Sequence, residues 1–192
     1  MDTDLFFSKI NSYHVISKEA ELAWSGHLHQ KVYLKNSHFI QIGQVPRKIG
    51  FVVKGLLAQH YFTENGDTVI KYFFPEQRFA ASVGAMLTQS ESQFDILALE
   101  KATIIEYEAA AFQKLVSEFP DIALFYIRYM ERHWIIEKEP LEITLRADTA
   151  AKRYEDFLKK YPDLPKRLKK HHIASYLGIT PTQLSRIFLA NK

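Results

Sequence analysis

Residues 49–74 read IGFVVKGLLAQHYFTENGDTVIKYFF, and the fold turns on them. Two runs rich in β-branched and aromatic residues, 49–62 and 68–74, flank the tetrapeptide ENGD at 64–67. Asn65 and Gly66 tolerate positive φ, so the tetrapeptide reads as a hairpin turn. Gly55 punctuates the first run. Upstream, VYLKNSHFIQI at 32–42 has the same texture and gives way to Gly43-Gln44. A further strand pair is expected at 93–100 (QFDILALE) and 102–107 (ATIIEY). Short strands at regular spacing with turn signals between them predict an antiparallel sandwich or barrel.

Helical patterns lie on both sides. Residues 5–28 read as one or two short helices, with Ser17 as the cap before KEAELAW. AAAFQKLVSEF is a short helix ended by Pro120, and a longer one starts at Asp121. The longer helix carries Ile122, Phe125, Tyr129 and Ile136 near one face, a stripe suited either to the β unit or to a second copy of itself. Pro140 interrupts it before LEITLRAD. DTAAKRYEDFLKKY at 148–161 is amphipathic and stops at Pro162. The expected division is a β unit over 1–118, a long helix and hinge over 119–147, and a small helical unit over 148–192.

The chain has 192 residues, of which 47% are hydrophobic, and no cysteine. A disulfide framework, a thiolate zinc site and a cysteine-held iron–sulfur cluster are thereby excluded. No apolar run approaches the roughly 20 residues that span a bilayer, and MDTDLFFSKINSY lacks the pattern of a signal peptide. The expectation is a soluble cytoplasmic protein with no membrane contact. Charge is unevenly spread. Residues 150–192 hold 10 Lys/Arg against 3 Asp/Glu, whereas residues 1–149 hold 15 against 19. A basic segment of this kind suits a polyanion.

That basic segment ends in HHIASYLGITPTQLSRIF. Ile173, Leu177, Ile179, Leu184 and Ile187 can meet inside a two-helix corner, Gly178 supplies the tight turn, and Thr180 with Pro181 starts the second helix. Thr182, Gln183, Ser185 and Arg186 are left outside the apolar stripe. Gln and Arg reach bidentately to adenine and guanine edges, and Thr and Ser suit phosphates. This is a helix-turn-helix pattern with the second helix as reader. Lys166, Arg167, Lys169 and Lys170 precede it where phosphates would pass. An ordinary helical corner uses the same glycine and the same stripe.

The β middle, with GQVPRKIGFVVKGLLAQHYFTENGDTVIKYFFPEQRF, resembles the Crp/Fnr family of bacterial transcription regulators, as do the long helix, AAKRYEDFLKKYPDL and ASYLGITPTQLSRI. The likeness runs from about residue 25 to 190. It implies an α+β chain: an antiparallel cyclic-nucleotide-binding-like β-roll with flanking helices, a long dimerisation helix, and a C-terminal helix-turn-helix domain. It further implies double-stranded DNA read as a homodimer on a palindrome, with half-sites roughly 34 Å apart. Partners would include an unidentified small-molecule effector and RNA polymerase. Arg186 falls where the family carries a base- or phosphate-contacting arginine, Thr182 and Gln183 fall at reading positions, and Thr180, Ser185, Lys169 and Lys170 complete the DNA-contacting set.

The chain departs from that family in two places. Cyclic-AMP-binding members carry a Phe-Gly-Glu-Leu cassette and, some ten residues on, an arginine for the cyclic phosphate. Here the stretch reads Phe79-Ala80-Ala81-Ser82, and the arginine position falls at about Ser92. Loss of charge-assisted contacts costs several kcal/mol, so cyclic AMP is not an expected ligand and no cofactor is expected. Arg78 lies nearby as a substitute cation. The sequence also ends at Lys192, so the wing after the reading helix is expected to be truncated.

Other classes have less support. His27 and His29 would share a face of a strand, with His38 and His60 on others, but the glutamate of a cupin-like metal site does not follow. Eight histidines could in principle supply a haem ligand. There is no nucleophile elbow, P-loop or dinucleotide fingerprint, and Glu106/Glu108 read as an exposed strand edge. The chain is therefore expected to be no enzyme and to hold no metal. The alternative to a regulator is a ligand-sensing or protein-interaction module that has lost DNA binding.

Overall fold

The strand-forming runs at 49–53 and 56–58 are continuously apolar, where a sheet with one wet face would alternate. The computed structural model gives the reason. It describes residues 2–190, apart from the side chains of residues 141, 142, 145 and 190. Among the described residues eight strands form two four-stranded antiparallel sheets, and residues 49–52 and 56–58 are buried whichever face they point to. The strands are β1 His29–Tyr33, β2 His38–Ile40, β3 Lys48–Lys54, β4 Leu57–Phe62, β5 Thr68–Phe74, β6 Phe79–Ala80, β7 Asp95–Ala98 and β8 Ala102–Glu108. The first sheet runs β1-β8-β3-β6 and the second β2-β7-β4-β5.

Between the sheets lie Phe39, Ile40, Val52, Leu57, Phe74, Ile96 and Ile104. Their strand neighbours point the other way. Ile49, Phe51, Ile105 and Tyr107 meet Phe6, Ile10, Ala20 and Trp24 of the N-terminal helices α1 (Thr3–Asn11) and α2 (Lys18–Ser25). As expected, Ser17 caps α2, its hydroxyl accepting from Ala20 N–H at 3.2 Å.

The hairpin lies where the sequence puts it, with β4 and β5 paired on either side of Gly66 at φ +82° and their register shifted between Gln59 and His60. Gly55 has a larger task. Its φ is +100°, and a Cβ there would lie 2.7 Å from Ala102 Cα and from the Lys101 carbonyl oxygen. It is the point at which the chain leaves the first sheet and enters the second. The expected pairing of 93–100 with 102–107 does not form. β7 pairs with β2 and β4, while β8 pairs with β1 and β3. The connection between them crosses from one sheet to the other, so adjacency in sequence gives no adjacency in a ladder.

A short helix α3 (Val83–Thr88) sits between β6 and β7, and α4 (Ala109–Glu118) follows β8. Phe119 breaks the helix and Pro120 takes the first position of α5 (Pro120–Met130), which runs into a π-helical turn at Glu131–Ile136. Then come α6 (Glu139–Ala147), α7 (Ala150–Lys160) capped by Thr149, α8 (Lys170–Leu177) and α9 (Pro181–Ala190). The C-terminal helices close over the outer face of the second sheet. Ala58, Ile70 and Phe73 share one core with Phe157, Tyr161, Leu164, Ile173 and Leu184. β5 is the edge strand of that sheet, and Ser175 of α8 covers its edge, donating to the Thr68 carbonyl at 2.6 Å and accepting from Ile70 N–H at 2.9 Å.

The stripe on the long helix resolves differently from a dimer face. Ile122 and Phe125 are buried in the protomer's own core, and Tyr129 packs against them. Of the four residues proposed for dimer contact, only Ile136 faces out, 66% exposed. Exposed apolar residues along these helices are instead Leu124, Ile127, Ile135, Ile136 and Ile143.

Candidate nucleic-acid interface and ligand pocket

α8 and α9 form the expected corner. Gly178 ends α8 at φ +66°, Pro181 opens α9, and Leu184 is fully buried beneath it. Thr182, Gln183 and Arg186 are exposed on α9, with Ser185 half-exposed. Thr180 caps α9 by accepting from Gln183 N–H at 3.1 Å, while Gln183 Oε1 accepts from Thr180 N–H at 2.9 Å. This reciprocal capping box engages the Gln183 amide oxygen and the Thr180 hydroxyl within the helix start. The Ser185 hydroxyl donates to the Pro181 carbonyl at 3.0 Å. Of the residues expected to read DNA, Thr182 and Arg186 therefore keep their polar groups out of these contacts, and Lys169 and Lys170 at the start of α8 are exposed.

Arg167 does not join that phosphate-facing set. It turns inward, donating to both Glu76 oxygens at 2.9 and 2.8 Å and to Glu100 at 2.5 Å, and so ties the C-terminal helices to the roll. Glu106 corrects the expectation of an exposed strand edge. Its carboxylate is buried and takes contacts from Lys31, from Tyr33 OH at 2.6 Å and from Lys48 at 3.2 Å. Burial alone would raise its pKa, but these three partners outweigh it and hold the carboxyl below its ordinary value.

The stretch expected to correspond to the nucleotide cassette is uncharged: Phe79, Ala80, Ala81, Ser82 and Ser92 are all buried, and Ser92 donates to Ser82 at 2.9 Å. Arg78 does not substitute for the missing arginine. It donates to Tyr72 OH at 2.6 Å, to Glu137 at 2.8 Å and to His133 Nδ1 at 2.6 Å, and the far nitrogen of His133 meets Tyr13 OH at 2.7 Å. Burial lowers the His133 pKa, and Glu137, 2.8 Å from His133 Nδ1, opposes that shift. The cluster locks the roll to the π-helical turn. His133 and Glu137 stand four residues apart at the π-helical turn, whereas Arg78 comes from the roll, so the link between them carries no local signal.

Beside the cassette, between the roll, α3, α4 and the long helix, lies a cavity of about 360 Å³. Its walls are mostly aromatic and aliphatic. A larger cleft of about 1240 Å³ separates the roll from the hinge and the C-terminal helices. Among the described residues no three His, Asp or Glu side chains gather as they would around a metal. His27 and His29 are exposed on either side of buried Leu28, one at the end of α2 and one opening β1.

No protein-family model matches the sequence, and no curated protein does. Solved structures do match. FixK2 from Bradyrhizobium japonicum superposes with a TM-score of 0.71 at 15% identity, over 85% of this chain and 83% of its own. The c-di-GMP-responsive global regulator CLP of Xanthomonas campestris gives 0.70 at 12%, over 91% of each chain. The catabolite activator protein of Thermus thermophilus gives 0.57 at 18%, over 93% and 84%. At these identities the likeness is one of fold: the chain has the Crp/Fnr-type architecture of a cyclic-nucleotide-binding-like roll, a long helix and a C-terminal helical corner. Among the described residues no helix is long and apolar enough to cross a membrane.

Proposed function

We propose that this chain is a cytoplasmic, DNA-binding transcription regulator that works as a homodimer and is not governed by cyclic AMP. The observation that carries the reading is the corner at α8–α9. Its apolar residues are spent inward on Leu184 and Ile173, while Thr182 and Arg186 stand outward beside Lys169 and Lys170. A helix that merely closed the fold would have no need of that cationic outer face. The fold neighbours include proteins named as regulators, which agrees with the reading. The outward stripe Leu124, Ile127, Ile135, Ile136 and Ile143 supplies an apolar face through which two copies would pair across a two-fold axis. The cassette, lacking both the acidic and the basic contact, argues against cyclic AMP.

The test is selection of bound duplexes from a random DNA pool with wild type and Arg186→Ala in parallel. The expected result is an enriched palindrome that the variant loses. Only salt-sensitive, sequence-blind binding by both would reject the regulator reading. One observation favours a second reading, an interaction module without DNA binding: α8 is itself pinned to the roll through Ser175. That module would give no enrichment with either protein.

A further inference from the structure

The 360 Å³ cavity is of a size that takes small molecules. Phe74, Phe79, Met86, Phe112, Tyr126 and Trp134 are among its lining residues. Its charged lining residues are Lys71, Lys138, Lys160 and Glu137. Lys71, Glu137 and Lys160 also line the larger cleft, so they stand where the two spaces meet.

These groups are not equivalent. Glu137 is satisfied by Arg78 and by His133, each at 2.8 Å. Lys71 and Lys160 enter no ion pair among the described residues. Lys71 Nζ stands 4.2 Å from the Phe94 ring centroid, and Lys160 Nζ stands 5.6 Å from that of Tyr72 and 5.4 Å from that of Tyr161. Aromatic rings thus hold two ammonium groups in place without neutralising them. Desolvation lowers the pKa of both, joined at Lys71 by the neighbouring Lys138 charge and opposed at Lys160 by Glu137.

We propose that this cavity binds an amphipathic monoanion, an apolar chain or ring seated among the aromatic residues with its carboxylate at Lys71 and Lys160. A phosphate is disfavoured: the walls offer no arginine fork, since Arg78 is committed to Glu137, and a dianion would face the Glu137 carboxylate. The consequence deepens the regulator reading proposed above and rests on it. Lys71 belongs to β5 of the roll and Lys160 to α7 of the C-terminal helices, so a carboxylate joining them binds the docked arrangement better than any other and shifts the population toward it.

The test is equilibrium dialysis of the full chain, without DNA, against decanoate and 4-phenylbutyrate, with decanol, acetate and cyclic AMP beside them. The two acids separate chain from ring as the apolar body. Expected is one saturable site for an acid, with decanol at least about tenfold weaker and no binding of acetate or cyclic AMP. Lys71→Gln and Lys160→Gln should each cut acid affinity by about tenfold while leaving decanol unchanged. Met86→Trp, or Val83→Trp should the first fail to fold, should abolish both by filling the cavity. Equal affinity for acid and alcohol, lysine variants that bind as wild type, or no saturable site would each overturn the proposal. A saturable site without DNA enrichment would reject the regulator reading and leave the ligand site; enrichment without a site would do the reverse.

Discussion

Phe125 and Ile127 lie two positions apart on α5, yet a glutamate should do different things at each. Phe125 is 3% exposed and packs among Trp24, Phe79 and Tyr129. Truncating such a ring costs about 3–5 kcal/mol, and leaving an unpaired carboxylate in its place adds more. The sum rivals the entire stability of an ordinary domain, so Phe125→Glu should fail to fold. Ile127 is 48% exposed. Complete burial of an isoleucine is worth about 1.5–3 kcal/mol, so roughly 1 kcal/mol is still to be gained there on association. A two-fold interface collects it twice, giving roughly 2 kcal/mol or about thirtyfold in Kd, before the desolvation of two carboxylates is counted. Ile127→Glu should therefore melt within about 0.5 kcal/mol of wild type and sediment as a monomer where wild type is a dimer. Sedimentation velocity with circular-dichroism melts reads both quantities. An Ile127→Glu protein that stays dimeric, or that melts as early as Phe125→Glu, would refute the division of this helix into an inner and an outer face.

Other outcomes follow from the same geometry. Arg167→Ala removes a partly exposed network to Glu76 and Glu100; it should cost about 1 kcal/mol and lower hydrogen-exchange protection selectively in α8 and α9, whereas a uniform loss would contradict docking through this residue. Gln183→Ala breaks the capping box and should destabilise α9 by about 1 kcal/mol, with Gln183→Glu restoring it; if neither changes α9 protection, the cap is inert. Burial and neighbouring His171 depress the His172 pKa from 6.5 to about 4. Between those values the unfolded chain binds the proton first, so the contribution is full above about pH 6.5 and fades as pH falls toward 4. Melts from pH 7.5 to 4.5 should show that slope, and His172→Gln should flatten it; an unchanged slope would remove His172 as a cause.

The strand texture of 49–74, the ENGD turn, the Ser17 and Thr180 caps and the Gly178 corner were all legible because each depends on local chemistry. What was not legible depends on distant partners. Helical periodicity identifies Ile122, Phe125 and Tyr129 as one face, but only the packed structure says that the face is spent on the roll. Glu106 reads as an edge residue until Lys31, Tyr33 and Lys48 arrive from other strands. Arg78 looks available beside the cassette until Tyr72, His133 and Glu137 surround it. The apolar outer stripe could have been suspected from Leu124, Ile127 and Ile135, which are too hydrophobic for a solvated face.

Ser175 occupies a place that another chain would otherwise take. Its hydroxyl answers two main-chain groups on the margin of the β5 strand, and the helix that carries it shields Ile70 and Phe73 behind them. Removing the C-terminal helices would uncover an unpaired strand margin next to apolar surface, the combination on which chains add to one another end over end. The roll expressed alone should then be sticky, and any rearrangement that frees the C-terminal helices has to re-cover this margin or be brief. The Ser175 contacts thus link the docking of the C-terminal helices to the covering of an aggregation-prone strand margin.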